Sequence, residues 1–595
     1  MMADTIPQLF LRAVSKYRKK DAFRVKKDGR YRDISHEDAF RSVHHAALGL
    51  LALRLAKGDR VALISENRPE WMIADLAILS AGCINVPIYV TVPAKQLEYM
   101  LKDSGARAAF VSDAKQLAKL LEVRTQLPAL QYVITFDANC DVPGIIQLDN
   151  LIRNGASVPS SQSYEEMISA VIRSDWASIV YTSGTTGDPK GAILTHGNFV
   201  SNATACASLI DINPTDTTVS FLPLSHVFER TAGYYAMMHA GVTISYAESF
   251  DTILQNLEEV KPTVVTSVPR LYEKIYTRIM DSVTSGPYVK KLLFFWALNA
   301  GSNYVQQKLS GNLQPMTIRK YNLAKKLVFS KLKHITGGRL RFFVSGGAPL
   351  HRTIAEFFYA VDLPILEGYG LTETSPVIAV NTFEQFKFGS VGKPLPGVEI
   401  KIAGDGEILV KGPNVMIGYF KKPDLTNEAV VDGWFHTGDI GFLDNEGFLS
   451  ITDRKKDIII TAGGKNIAPQ SIENAIKTSK YIGQVVLIGN RRKFISALIV
   501  PNFDNLRKFA LAKNITYTDI PSLLKHPQII DQIQDSLDRK SGDFASFERV
   551  KKFVLLDHDF SIEDNELTPS LKIKRAYVEE KYKEAIDKLY RENDG

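Results

Sequence analysis

Residues Ser178 to Val200 read SIVYTSGTTGDPKGAILTHGNFV: an apolar β-like run, a glycine-rich loop, a second apolar run, and a helical pattern from about Asn198. Gly184, Gly187 and Gly191 interleave with Ser183, Thr185 and Thr186 and lead to Lys190, so one loop offers backbone amides, hydroxyls and a cation. That combination suits a polyphosphate. The order is wrong for a Walker A loop, because Lys190 precedes Gly191 and is followed by the β-like AILT rather than by a helix. A loop slung between two strands can cover a triphosphate and move with it.

Other segments extend the same pattern. ARAAFVS, QYVITF, TVVTSV and RLRFFVS are further apolar runs separated by helical patterns, which predicts an α/β fold with largely buried sheets in a large N-terminal body. From about Val398 the character changes to short strands, EIKIAGDGEILVKG and DIGFLDNEGFLSITDR, with a hairpin turn at Asp444 to Gly447. This predicts a small β-rich subdomain over 398–452 at the end of a body spanning 1–452. The remainder, 453–595, mixes strands (DIIITA, QVVLIG, FISALIVP) with helices and has the size of one small α+β domain.

At 595 residues the chain needs more than one core, and its apolar and charged content is that of a folded protein. Cys83, Cys140 and Cys206 are widely spaced, which supports neither a disulfide framework nor a cysteine zinc site and points to a reducing, cytoplasmic setting. The first residues show no secretory signal, and the uncharged stretch Leu76 to Ala94 is broken by Gly82, Asn85, Pro87 and Pro93 into helix, turn and strand.

Charge is unevenly placed. Between Asp281 and Glu356 there is no acidic residue but twelve Lys and Arg, so a chain of net +7 carries −5 elsewhere. Ile318, Tyr321, Val328, Leu332 and Ile335 recur at helical spacing between lysines, which predicts one cationic amphipathic helix. With the apolar run LLFFWAL (Leu292 to Leu298), residues 286–336 suit peripheral contact with an anionic membrane on its cytoplasmic face; the competing reading packs the stripe on the core. No nucleic-acid motif accompanies the charge.

The glycine-rich loop resembles the signature of the AMP-forming acyl-CoA synthetase (adenylate-forming) family. LPLSHVFER (Leu222 to Arg230), SGGAPL (Ser345 to Leu350), EGYGLTET (Glu367 to Thr374), HTGD (His436 to Asp439), DRKKDIIITAGGKNIAP (Asp453 to Pro469) and LTPSLKIKR (Leu567 to Arg575) follow in the family's order across nearly the whole chain, and look most like its long-chain fatty acid branch. The resemblance implies ATP, Mg²⁺ and coenzyme A. It implies that Thr182, the loop residues to Gly187, Lys190, Gly347 and Gly370 line the nucleotide. Thr372 would then contact phosphate, Glu373 hold Mg²⁺, Tyr369 stack on adenine, Asp439 take the ribose hydroxyls and Arg454 meet the same nucleotide.

By the same resemblance Lys572 is the catalytic lysine that bridges carboxylate and α-phosphate. Leu571 stands where many members have Gly before it, which leaves Lys574 and Arg575 as further candidates for that charge. A mobile C-terminal domain, hinged near Asp453, would carry Lys572 out after adenylation and bring Gly463, Gly464 and Lys465 in to line the coenzyme A tunnel. His226 would position the adenylate or act as thiol base. The expected activity is fatty acid–CoA ligation; the alternatives are an acyl-AMP ligase that loads a carrier protein, and a non-catalytic fatty-acid uptake or binding protein.

Overall fold

The structure is a computed structural model describing residues 3–158, 163–182, 188–542, 544–561, 564–568 and 572–591. Strands Trp176–Thr182 and Lys190–Thr195 pair antiparallel with Thr182 opposite Lys190, so the glycine-rich loop joins two strands. Its residues Ser183, Gly184, Thr185, Thr186 and Gly187 lie outside the described residues. The helix that follows, His196–Leu209, starts two residues before Asn198 because the Thr195 hydroxyl accepts the Asn198 N–H while the Asn198 side chain accepts the Thr195 N–H.

These strands belong to an eight-stranded sheet ordered Gly418–Tyr419, Lys190–Thr195, Trp176–Thr182, Ile84–Ile88, Arg60–Ile64, Ala108–Val111, Tyr132–Thr135, Ile145–Gln147. Val61 and Leu63 feed one core cluster and Ala62 and Ile64 another. Alternating side chains of a central strand thus bury on opposite faces, which is why these runs are continuously apolar. A second sheet runs Val264–Ser267, Phe342–Ser345, Ile365–Gly370, Val377–Val380, Lys393–Pro394, and a third runs Thr217–Ser220, Thr243–Tyr246, Phe23–Lys27, Arg30–Ile34. The fold is α/β, a large N-terminal body with a smaller C-terminal domain.

The β-rich piece is a sheet whose last strand runs to Arg454, past residue 452. Glu399–Ile402 pairs with Glu407–Lys411, and Trp434–Leu443 with Leu449–Arg454 around the Asp444–Gly447 turn. Asp453 lies inside that last strand opposite Ile440. Beyond it, Ile482–Ile488, Ser496–Pro501 and Lys552–Leu555 form a sheet with its own apolar clusters. The DIIITA run yields only the two-residue strand Ile459–Ile460, because the chain turns at once at Gly463 and Gly464 into Asn466–Ile467. Cys83, Cys140 and Cys206 are free thiols, and no helix among the described residues is long and apolar enough to cross a membrane.

The basic segment departs from a single helix. Helix Tyr288–Leu309 turns back into Pro315–Ala324, a π-turn Lys325–Phe329, helix Ser330–Lys333 and a 3-10 turn His334–Thr336. The wider π-turn lets the successive residues Val328 and Phe329 both bury. Tyr321 and Val328 join the core and Leu332 and Ile335 pack against it, so the stripe expected to rest on a membrane faces inward except for Ile318 at its start.

Candidate active site

Strand Ile365–Gly370 delivers EGYG to the edge of the second sheet. Gly370 is required there, since a Cβ would lie 1.9 Å from the Pro376 carbonyl oxygen. The chain then tightens into the turn Thr372–Thr374, in which Leu371 N–H donates to Thr374 Oγ1 at 3.0 Å. Thr374 closes the turn, which leaves the Thr372 hydroxyl free of that duty.

Two small networks flank this turn. The Tyr369 hydroxyl donates to Asp439 Oδ2 at 2.6 Å and Arg454 Nε donates to Asp439 Oδ1 at 2.9 Å, across the pairing of their strands. Asp439 is buried, and both of its oxygens are engaged. On the other side the Tyr419 hydroxyl donates to Glu373 Oε1 at 2.9 Å, and Lys190 Nζ sits 4.4 Å from the centroid of the Tyr419 ring. Burial lowers the Lys190 pKa; Glu373 opposes this, and Lys456 and Lys422 add to it. Lys190, Lys422 and Lys456 therefore share one electrostatic neighbourhood with two carboxylates, of which Glu373 acts on Lys190 more strongly than Glu428.

Lys572 joins them from the C-terminal domain. It stands on a narrow hairpin, Leu567 bridged to Ile573, with its N–H donating to Thr568 Oγ1 at 3.0 Å. Its side chain is open to solvent, yet packing around the ammonium lowers its pKa, with Arg454 adding to the shift and Asp439 and Glu373 opposing it. Lys574 instead donates to Asn565 Oδ1, and Arg575 donates to the Leu487 carbonyl and to Glu473, both at 2.7 Å. Of the three cations in this run, Lys572 is the one that meets Asp439 and Glu373.

His226 lies in the turn before Phe228. The Phe228 N–H donates to His226 Nδ1 at 3.1 Å, and burial, with Lys572 adding to it, pushes the imidazole down to about 4. The neutral ring therefore carries its proton on Nε2. The turn is held from behind: Arg230 N–H donates to the His226 carbonyl, and the fully buried Arg230 guanidinium is bonded to Asp75, Ser178 and Tyr235. In front, a Cβ on Gly346 would meet the Phe228 ring at 2.8 Å, so the SGGAPL loop packs directly on HVFER; its Gly347 has φ +78°. Three segments far apart in sequence thus meet at one place.

Gly463, Gly464 and Lys465 are not brought there. They form an exposed hairpin tip, closed by Gly464 N–H to the Thr461 carbonyl at 2.9 Å, and Lys465 Nζ lies over the Phe547 ring of its own domain. Asp453 is buried; its carboxylate accepts the Arg454 N–H and, at 3.4 Å, the Gln470 N–H in the first turn of helix Pro469–Lys477. Burial raises its pKa to about 6. It touches the last body strand and the first long helix of the C-terminal domain. Tyr419 and Lys422 went unread in the sequence: GYFKKP (Gly418 to Pro423) carries aromatic, cations and a turn former, but nothing in its spacing separates it from a surface loop; Lys456 lies inside the quoted DRKKD run without being singled out there.

Residues 10–420 match the AMP-binding enzyme family and residues 456–594 match the C-terminal domain of AMP-binding enzymes. The long-chain-fatty-acid–CoA ligase FadD15 of Mycobacterium bovis is 37% identical over 570 residues, covering 95% of this chain and 93% of that one. The human long-chain-fatty-acid–CoA ligase ACSBG2 is 32% identical, covering 98% and 92%. Among solved structures, the anthranilate CoA ligase AuaEII with anthranoyl-AMP superposes with a TM-score of 0.74 at 19% identity, covering 98% of each chain. ATP-bound MatB from Rhodopseudomonas palustris gives 0.69 at 25%, covering 97% and 99%.

Proposed function

The chain belongs to the AMP-binding enzyme family, and on that footing we propose that it is a long-chain fatty acid–CoA ligase working in two steps. A fatty acid carboxylate attacks the α-phosphorus of ATP, forming acyl-AMP and releasing pyrophosphate. The thiol of coenzyme A then attacks the acyl carbon, forming the thioester and releasing AMP. The observation that supports this reading is the convergence of Lys572 with Asp439, Glu373 and Arg454, which sets a cation of the C-terminal domain beside the residues proposed to hold the nucleotide.

The first step builds negative charge on phosphoryl oxygens, and preoriented cations stabilise it far better inside a protein than in water. Lys190, with Lys422 and Lys456 beside it, serves the β and γ phosphates, while Lys572 serves the α-phosphate and the attacking carboxylate. Asp439 has lone pairs beyond those used by Tyr369 and Arg454, which the ribose hydroxyls take up, and the Tyr369 ring borders the adenine. Glu373, a carboxylate among these cations with one oxygen steadied by Tyr419, offers the hard oxygen donor that would hold a Mg²⁺. Such an ion would draw charge from the phosphate oxygens.

For the second step Lys572 must leave and the tip Gly463 to Lys465 must enter, with Asp453 as the pivot between 1–452 and 453–595. The described arrangement corresponds to the first step. His226, with Nδ1 occupied and the proton on Nε2, acts as a donor that orients the acyl group rather than as the thiol base. The fatty acid reaches the enzyme at the cytoplasmic face of an anionic membrane touched by residues 286–336. Incubation with Mg-ATP, coenzyme A and fatty acids of graded length tests the activity: AMP, pyrophosphate and acyl-CoA, greatest with long chains, are expected. AMP without a thioester would favour transfer to a carrier protein, and binding of fatty acid with no AMP would leave only a binding protein.

A further inference from the structure

Helix Tyr288–Leu309 has two apolar faces. Phe294, Ala297, Gly301 and Val305 recur every three or four residues and bury against the body. Leu292 and Trp296 lie about 160° around the helix from Phe294 at 3.6 residues per turn. Together with Tyr288, Val289 and Phe295 they make a second face, exposed by 54% at Leu292, 37% at Trp296, 73% at Tyr288, 74% at Val289 and 46% at Phe295. No described part of the chain covers it. Past Trp296 the outward positions become Asn299, Ser302, Asn303 and Gln306, so the outer apolar face is confined to the first three turns. A solvated helix has no reason to carry it.

The cations around that face are selective. Lys325 and Lys333 pair with Asp362, Arg341 with Asp211 and Asp216, and Arg352 with Glu356. Among the described residues, Lys290, Lys291, Arg319, Lys320, Lys326 and Lys331 have no acidic partner. The antiparallel return Pro315–Ala324 adds exposed Met316 and Leu323, seven residues apart and so on one side of that helix. Large apolar side chains ringed by unpaired lysines, with no acid within the segment, match an anionic bilayer surface. A second copy of this chain would bring lysines against lysines.

We propose that this helical hairpin is a membrane-docking surface: Tyr288, Val289, Leu292, Phe295 and Trp296 enter the outer acyl region of an anionic phospholipid leaflet, and the unpaired lysines meet its phosphates. The inserting face is thus the outer face of Tyr288–Leu309, not the stripe Ile318 to Ile335 that the spacing singled out. Only the purpose of docking, collecting a sparingly soluble acid where it partitions, rests on the ligase reading above; the docking itself does not.

The test is co-sedimentation of the full chain with vesicles of phosphatidylcholine alone or with phosphatidylglycerol, at low and high salt, for the wild type and for Leu292→Asp/Trp296→Asp. Both positions are exposed, so the variant should keep its Tm and its ligase activity on a water-soluble short-chain acid. The expected result is sedimentation with phosphatidylglycerol vesicles that salt weakens, and a partition coefficient lower by at least about tenfold in the variant, the change that one large apolar side chain accounts for. Equal sedimentation of the two proteins, or none at low salt, would overturn the proposal. So would a wild-type dimer that the same substitutions dissociate, since the face would then belong to a second copy. Because sedimentation needs no turnover, loss of the ligase reading would leave this result standing.

Discussion

The two sides of the active site are built differently. On the body side, Tyr369 is bonded to the buried Asp439 and Tyr419 to Glu373, and Arg454, just past the pivot, is bonded to Asp439 across paired strands. On the C-terminal side, Lys572 sits on a two-strand hairpin whose described contacts are local, and Gly463 to Lys465 stand at an exposed tip elsewhere on that domain. A site used for two successive reactions needs a half that holds the nucleotide throughout and a half that can be exchanged. The contrast in bonding has that form.

The largest effect should come from the exchanged half. Lys572→Ala should lower fatty-acid-dependent AMP release by about two to three orders of magnitude, the scale of losing one preoriented charge at a developing anion. Lys574→Ala should change the same rate little, since its ammonium already pairs with Asn565. Next comes the holding half: Asp439→Asn should weaken both half-reactions by about 10–100-fold, as a buried charged hydrogen-bond partner is lost, seen as a raised KM for ATP and faster loss of bound acyl-AMP. Comparable loss in only one half-reaction would break the division between the two sides.

A smaller, one-sided effect is expected at the tip. Gly464 has φ +72° with open space around its Cα, so Gly464→Val strains the backbone without a clash. By about 1–2 kcal/mol of left-handed strain it should slow thioester formation about tenfold while sparing adenylation, measured with acyl-AMP supplied.

Much of this was legible in the chain. Runs such as Ala108–Val111 and Phe342–Ser345 announce themselves because both their faces are buried, and the motifs name Tyr369, Asp439, Glu373 and Lys572. What could not be read is contact. Nothing in GYFKKP says that Tyr419 will brace Glu373, because that bond needs strand Gly418–Tyr419 to add to the edge of the eight-stranded sheet. The π-turn at Lys325–Phe329 hides inside an unbroken helical period. LLFFWAL reads as one apolar run suited to a membrane anchor, and only the packed fold separates buried Phe294 from exposed Leu292 and Trp296.

The smallest effects concern pH. His226 is neutral well below its ordinary range, so kcat/KM should show no inflection near pH 6.5 from this residue, and His226→Gln, which keeps a donor, should retain more activity than His226→Leu. Buried His36, pushed to about 4, and His196, pushed to about 3, act on stability instead. Their native pKa values lie below the unfolded one, so the unfolded chain binds more protons as pH falls. Their share of the stability should be full above about pH 6.5 and decline toward pH 4, by up to about 1.4 kcal/mol per pH unit for each, while buried Glu229 and Glu367, pushed up to about 8, act in the opposite sense over the same range. The difference in Tm between the wild type and His196→Gln should therefore change between pH 7.5 and 5, and a difference that stays constant would contradict this.

The division of the site is tested most directly by timing the two half-reactions separately in Lys572→Ala, one from fatty acid and ATP to acyl-AMP, the other from supplied acyl-AMP and coenzyme A to thioester. The account predicts that the first collapses while the second runs within a few-fold of the wild type. Equal collapse of both would mean that Lys572 stays in the site throughout, and the exchange of halves would be wrong.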